Sequence, residues 1–343
     1  MAVKILVGPR QDDSILDIAR SLTPPGFELV VADVGTPQFY EAAAEAEYYL
    51  GFARQMGGEF FRAMPKLRLV QLTSAGYDRV DIEAARKAAV PVATNGGANA
   101  IAVSEHTILL MLAVYKRLVR YHNDVVAGKW RSPNLAEGRV YELSGKTLGI
   151  VGLGNIGKKV ARRAAAFDMS VQYYDIARLN EDQEDALGAR FVLFEELLRT
   201  SDVVSLHVPL TDSTRSLLGS KEFALMKPTA ILVNTCRGPV VDETALHHAL
   251  TKGQIAGAGL DVLIEEPPPA NHPIFSLPNV TLTPHSAGPT WENWMRITSR
   301  TRRISAVLRT ICRSPAWDHR SRPSRSMTKL ERYATLRSSS QTP

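Results

Sequence analysis

Short, mostly apolar runs recur along the first 285 residues, separated by stretches long enough to hold helices. Val3–Gly8, Phe27–Ala32 and Leu67–Leu72 have the composition of strands buried on both faces. Asp81–Ala89 has the spacing of an amphipathic helix, and Ala46–Gly51 reads as a further strand or equally as a helix end. After residue 145 the rhythm resumes. Thr147–Val151, Val171–Tyr174, Val203–Val208, Ala230–Asn234, Ala256–Val262 and Val280–Thr283 are strand-like, and Thr244–Leu250 is helical. Strands alternating with helices imply parallel sheets covered on both faces. Between the two series lie a glycine-rich break, Asn95–Asn99, and an apolar-faced stretch from Ile101 to about Val126. The first is a candidate hinge, the second one long helix serving as core or dimer interface. An exposed loop, Gly128–Pro133, follows it. The expected fold class is α/β, with two doubly wound parallel-sheet domains. Residues 1–98 form a flavodoxin-like first domain and 99–285 a second domain. Residues 286–313 return toward the first, and 314–343 form a basic tail.

The second series opens on Gly152-Leu153-Gly154-Asn155-Ile156-Gly157, directly after a strand and before a helical pattern with Val160, Ala161, Ala164 and Phe167 on one face. Gly152 permits the tight turn, Gly154 lets backbone approach a pyrophosphate, and Gly157 lets helix and strand pack closely. The unpaired N–H groups and dipole of the first helical turn favour phosphate. Asp175 ends the next strand, where a carboxylate accepts from both ribose hydroxyls. A bare glycine triplet is weak, but strand, helix, second strand and terminal acid in register predict a Rossmann dinucleotide site with NAD as cofactor.

Composition changes this picture only at one end. Two cysteines, Cys236 and Cys312, offer neither metal spacing nor a disulfide framework, so no metal site is expected. The N-terminus reads as a strand, not a signal peptide, and Ile101–Val114 is too short and polar to span a bilayer. No membrane association is expected, and the cytoplasm is the expected compartment. The net charge of +6 is concentrated: from Arg296 onward eleven Arg and one Lys face two acids, leaving 29 bases and 33 acids elsewhere. The body therefore has no nucleic-acid footprint. Arg296–Arg313 retains spaced apolar residues for one helix. From Ser314 the composition is too poor in apolar residues to order itself, as in a replaced or frame-shifted ending or a basic tail for an acidic partner.

Polar residues gather at the carboxyl ends of the strands: Asp175, His207, Arg237, Glu266 and His285, the edge along which doubly wound sheets bind ligands. The turn Thr73–Asp78 also follows a strand, and reads equally as a ligand nest or a plain connection. His207 reads as a packed polar residue near the cofactor, Cys236 as a small apolar one. His106, His247 and His248 fall in helical patterns and read as structural or exposed. Asp261 reads as a strand-end acid or a ligand to the nicotinamide half.

Taken in order, five motifs resemble the D-isomer-specific 2-hydroxyacid dehydrogenases. They are Gly152–Gly157 with Asp175, His207-Val208-Pro209-Leu210-Thr211, Asn234-Thr235-Cys236-Arg237-Gly238, Leu260-Asp261-Val262 with Glu266-Pro267, and Pro284-His285-Ser286-Ala287-Gly288. The resemblance runs to about Trp294. It implies interconversion of a D-2-hydroxy acid and a 2-oxo acid, with Arg237 on the substrate carboxylate and carbonyl, His285 as acid/base and Glu266 as its orienting partner. It also implies substrate contacts at Ser74, Ala75 and Gly76, and a homodimer built on the helix after Ile101. Cofactor contacts are implied at Gly152, Gly154, Asn155, Ile156, Gly157, Asp175, His207, Pro209, Thr214, Thr235, Cys236, Arg237, Asp261 and His285. The acid before Pro267 argues against formate dehydrogenases, which pair their histidine with glutamine. Substrate choice is expected to depend on Met56, Tyr77, Trp130 and Trp291. The alternative is an NAD(H)-sensing binding protein, since the C-terminal-binding corepressors resemble the same family.

Overall fold

The computed structural model describes residues 2–52, 56–130 and 139–297. The end of the Gly128–Pro133 loop, the return segment beyond 297 and the basic tail lie outside the described residues. The strands are β1 (Val3–Gly8), β2 (Phe27–Val31), β3 (Tyr48–Gly51), β4 (Leu69–Leu72), β5 (Val92–Ala93), β6 (Thr147–Val151) and β7 (Ser170–Tyr174), then β8 (Ala189–Phe191), β9 (Val203–Leu206), β10 (Ile231–Asn234), β11 (Gly257–Leu260) and β12 (Val280–Leu282). The α-helices are α1 (Asp13–Leu22), α2 (Pro37–Glu45), α3 (Gly58–Ala63), α4 (Ile82–Lys87), α5 (Ala100–Tyr115) and α6 (Leu118–Val126), then α7 (Gly157–Ala165), α8 (Glu181–Leu187), α9 (Phe194–Thr200), α10 (Ser220–Leu225) and α11 (Glu243–Thr251).

Two all-parallel sheets result. One has the order β2-β1-β3-β4-β5, the other β12-β11-β10-β9-β6-β7-β8. Strands β3, β4, β9, β10 and β11 are buried along their whole length, which is why their sequences are mostly apolar rather than alternating, with Gln71, Ser205 and Asn234 as buried polar exceptions. In the second sheet β6 lies between β9 and β7, so the chain winds outward in opposite directions on either side of it. The crevice at such a reversal, outside the carboxyl ends of the strands, is where doubly wound sheets hold dinucleotides.

The structure departs from the sequence reading at several elements. The stretch after Ile101 is two helices, not one: Arg117 takes a left-handed conformation, φ 49°, and breaks it. Helix α5 buries ten residues, whereas α6 buries none. Phe167 lies beyond the end of α7 and is exposed, so it does not belong to that helix's packed face. The ambiguous Ala46–Gly51 resolves as strand β3, paired with both β1 and β4. Short edge strands β5 and β8 had no pattern of their own. Helices α1, α2 and α8 start on side-chain caps from Asp12, Thr36 and Asn180, each accepting from an N–H of the first turn.

The last described turn of chain, helical over 291–297, comes back to the first sheet's side. Trp294 meets Phe52 edge-on at 6.0 Å, and Arg296 Nε donates to the Ala98 carbonyl at 3.0 Å.

Candidate active site

The glycine turn after β6 is shaped by close contacts. Gly152 has φ +94°, and a methyl group there would sit 2.7 Å from the His207 carbonyl oxygen; one on Gly157 would overlap the Gly152 carbonyl. Gly154, by contrast, faces open space. The Asn155 and Ile156 amides, at the mouth of α7, have no hydrogen-bond partner among the described residues. A pyrophosphate fits this combination of open backbone and unpaired N–H groups.

At the end of β7, Asp175 is already fixed. Its Oδ2 accepts from Leu153 N at 2.7 Å and its Oδ1 from Ala177 N at 3.0 Å. Arg178 points its charge elsewhere: Nε and Nη2 donate to Glu184 at 2.9 and 3.2 Å, and the guanidinium stacks over Phe191 at 5.3 Å. His207 pairs through Nε2 with Ser205 Oγ at 2.9 Å, and its Nδ1 is enclosed without a partner. Burial pushes its pKa down to about 3, so the ring is neutral at working pH and is no acid. Thr214 spends its hydroxyl on the loop after β9, donating to Pro209 O at 2.6 Å and accepting from Thr211 N at 2.8 Å.

Beyond β10 the turn Asn234–Arg237 is tied by one side chain. Asn234 Oδ1 accepts from Cys236 N and Sγ, and its Nδ2 donates to Arg237 O. Burial raises the Cys236 thiol to about 11; it stays protonated and packs against the second sheet's core. Thr235, almost fully buried, shares a hydroxyl contact of 3.2 Å with Thr107 of α5. Arg237 reaches back to the first sheet. Its Nη1 donates to Cys236 O at 2.7 Å and its Nε to Asp78 Oδ1 at 2.9 Å. Its Nη2 lies so close over Gly76 that any side chain there would overlap it. Beside this glycine, Ser74 Oγ donates to Gly76 O at 2.8 Å, closing the Ser74–Ala75–Gly76 turn.

His285 sits in a left-handed conformation, φ 52°, on the loop after β12. The loop is held by Asp261, itself 1% exposed at the end of β11. One Asp261 oxygen accepts from Ser286 N at 2.8 Å and Thr283 Oγ1 at 2.6 Å, the other from Ala287 N at 3.0 Å. The Asp261 carbonyl accepts from His285 N at 2.8 Å. His106 of α5 contacts Thr283 Oγ1 through Nε2 at 2.9 Å, so it braces the same loop. His285 Nδ1 meets Glu266 Oε2 at 2.8 Å. Burial pushes the Glu266 carboxyl up. The bond and charge of His285, the Leu263 N–H and Arg79 at 3.7 Å outweigh burial and leave the carboxyl below its ordinary value. An ionised Glu266 on Nδ1 leaves His285 Nε2 as the nitrogen that can exchange a proton.

The sequence model of the D-isomer specific 2-hydroxyacid dehydrogenase NAD binding domain matches residues 108–287. This chain belongs to that family. The dehydrogenase is 45% identical over 242 residues to a glyoxylate reductase of Korarchaeum cryptofilum, covering 70% of this chain and 72% of that protein. It is 39% identical over 298 residues to a glyoxylate reductase of Aeropyrum pernix, covering 82% and 88%. Among solved structures it resembles a D-lactate dehydrogenase from Aquifex aeolicus complexed with NAD and lactic acid. The TM-score is 0.77 and the identity 30%, over 90% of this chain and 95% of the other. The dehydrogenase is thus an NAD-dependent oxidoreductase of 2-hydroxy acids, and its glycine turn and Asp175 suit that cofactor.

Most residues singled out in the sequence lie at the carboxyl ends of the second sheet's strands, with Ser74–Gly76 at the corresponding end of β4. Met56 does not join them: it is 1% exposed in the first sheet's core, so it shapes no pocket wall. Tyr77, Trp130 and Trp291 are exposed. Asp78 and Arg79 were assigned no role from the sequence, although a charged pair directly after a glycine turn at a strand's end was the available signal. No helix among the described residues is long and apolar enough to cross a membrane.

Proposed function

We propose that this dehydrogenase reduces glyoxylate or a similarly small 2-oxo acid, with His285 as the acid. The observation that carries the reading is the 2.8 Å contact between His285 Nδ1 and the ionised Glu266. In this reading residues 1–98 hold the substrate and 99–285 the cofactor. Arg237 engages the carboxylate through its free donors while the amides around Ala75 and Gly76 hold the far side. A guanidinium suits this because its planar fork binds a carboxylate at two points and remains charged at any working pH. NAD, when bound, supplies the hydride. As negative charge grows on the carbonyl oxygen, Arg237 stabilises it and His285 Nε2–H donates the proton. Glu266, on Nδ1, fixes the orientation of the ring before and after transfer. Asp175 favours the free ribose of NAD over a 2′-phosphate. The relatives named glyoxylate reductase support the substrate class.

The decisive experiment is NADH oxidation by purified protein with glyoxylate, hydroxypyruvate and pyruvate. Turnover is expected, fastest with the smallest acids. NADH binding without turnover of any 2-oxo acid would overturn the enzymatic reading in favour of a cofactor-sensing protein.

We also propose a homodimer. Leu118, Val119, Tyr121, Val125 and Val126 of α6, with Trp130, leave a large apolar face in water, and patches of this kind mark association surfaces.

A further inference from the structure

Arg237 lies at the end of β10, yet its orientation is set by the other sheet's domain. A guanidinium has five N–H bonds in one plane, and fixing two of them fixes the plane. Here Cys236 O takes one from Nη1 and Asp78 Oδ1 takes the one from Nε. Both partners of the ion pair are about three-quarters buried, with side chains 26% and 24% exposed, so the contact is shielded from bulk water. The Nε bond leaves Nη2 free, and this is the nitrogen that lies over Gly76. The glycine is required for that approach. The neighbouring residue makes a matching contact of opposite sign: Arg79 Nη2 is 3.7 Å from Glu266 Oε2. It is longer and more exposed, so it steadies rather than orients. Two consecutive side chains of the first domain thus each meet an oppositely charged residue of the site.

We propose that Asp78 is a positioning residue for the reaction: it holds the Arg237 guanidinium edge-on so that the remaining donors face the substrate carboxylate over Gly76. Asp78 itself touches neither substrate nor cofactor. This inference rests on the reading of Arg237 as the substrate-binding cation.

The test compares wild type with Asp78→Ala and Asp78→Asn. Steady-state kinetics would use glyoxylate and NADH, and calorimetry would measure oxamate binding to the NADH-loaded protein. Without the carboxylate the guanidinium loses one of its two anchors. Asp78→Ala should therefore raise the KM for glyoxylate and weaken oxamate binding at least tenfold, with NADH affinity unchanged because the glycine turn and Asp175 are remote in sequence and strand order. Asp78→Asn keeps an oxygen acceptor for Nε–H and should recover part of both effects. Wild-type kcat/KM and oxamate affinity in Asp78→Ala would overturn the proposal. So would an equal loss of NADH affinity and oxamate affinity in both variants, which marks a structural role. Oxamate binding by a wild type that turns over no 2-oxo acid would sink the proposed activity while leaving the positioning role to be read from the oxamate series.

Discussion

His285 and Glu266 form the smallest unit with a testable consequence. Glu266 lies below its ordinary carboxylate value, so it is ionised throughout the neutral range. Its contribution is full above the ordinary value of about 4.5 and is lost as pH falls through the depressed one. Glu266→Gln removes the charge that faces His285 Nδ1. The kcat for reduction should then fall by about 10²- to 10⁴-fold, the range for losing positioned acid–base catalysis, with NADH binding unchanged. Steady-state kinetics and NADH titration of wild type and variant measure this, and a wild-type kcat in the variant would separate Glu266 from the histidine. His285→Ala should abolish most turnover yet leave NADH binding intact. An active His285→Ala would remove the proposed chemistry. The placement of Arg237, Glu266 and His285 beyond the carboxyl ends of strands was legible because polar residues following apolar runs stand out. Asp78 was not, because its partner lies 159 positions away and no periodicity links them.

At the scale of the element, the β6–α7–β7 unit was almost fully legible. Its glycines, apolar run and terminal acid each answer a local steric or electrostatic demand. What the sequence could not give was the state of Arg178, three residues past Asp175, which by proximity alone offers a cation to a 2′-phosphate. In the fold it is held by Glu184 and Phe191. Asp175 therefore acts unopposed, and NADH should be strongly preferred over NADPH. Asp175→Ala should raise the KM for NADH about 10- to 100-fold, the usual range for losing hydrogen bonds to a charged group, and affect NADPH far less. Kinetics with both cofactors check this; a wild type that uses NADPH as well as NADH would contradict it. The long helix failed for the opposite reason. Nothing in Lys116-Arg117 announces a break, because a left-handed residue that is not glycine is set by tertiary packing rather than by propensity.

For the whole molecule, the two sheets followed from alternation, while the faces each helix presents did not. Helix α6 is the clearest case: its apolar residues suit a core, and the fold leaves them outside. Light scattering should give twice the 37.7 kDa chain mass. Leu118→Glu combined with Val125→Glu should shift it toward the monomer; a monomeric wild type at micromolar concentration would refute the dimer. The Asp261 bracket has a consequence for heat resistance. One buried carboxylate supplies the partners for two loop amides and a hydroxyl, and supports a histidine in a backbone conformation that costs about 1–2 kcal/mol. Beyond β12 no further strand of the described chain follows to clamp this loop from outside. It is therefore a small cooperative unit at the rim of the sheet, able to open without the strands separating. On slow heating, dehydrogenase activity should vanish several degrees before the far-ultraviolet dichroism of the helices does, and return on cooling. In Asp261→Asn that gap should widen, so the working temperature would be set by this one loop rather than by the melting of either domain.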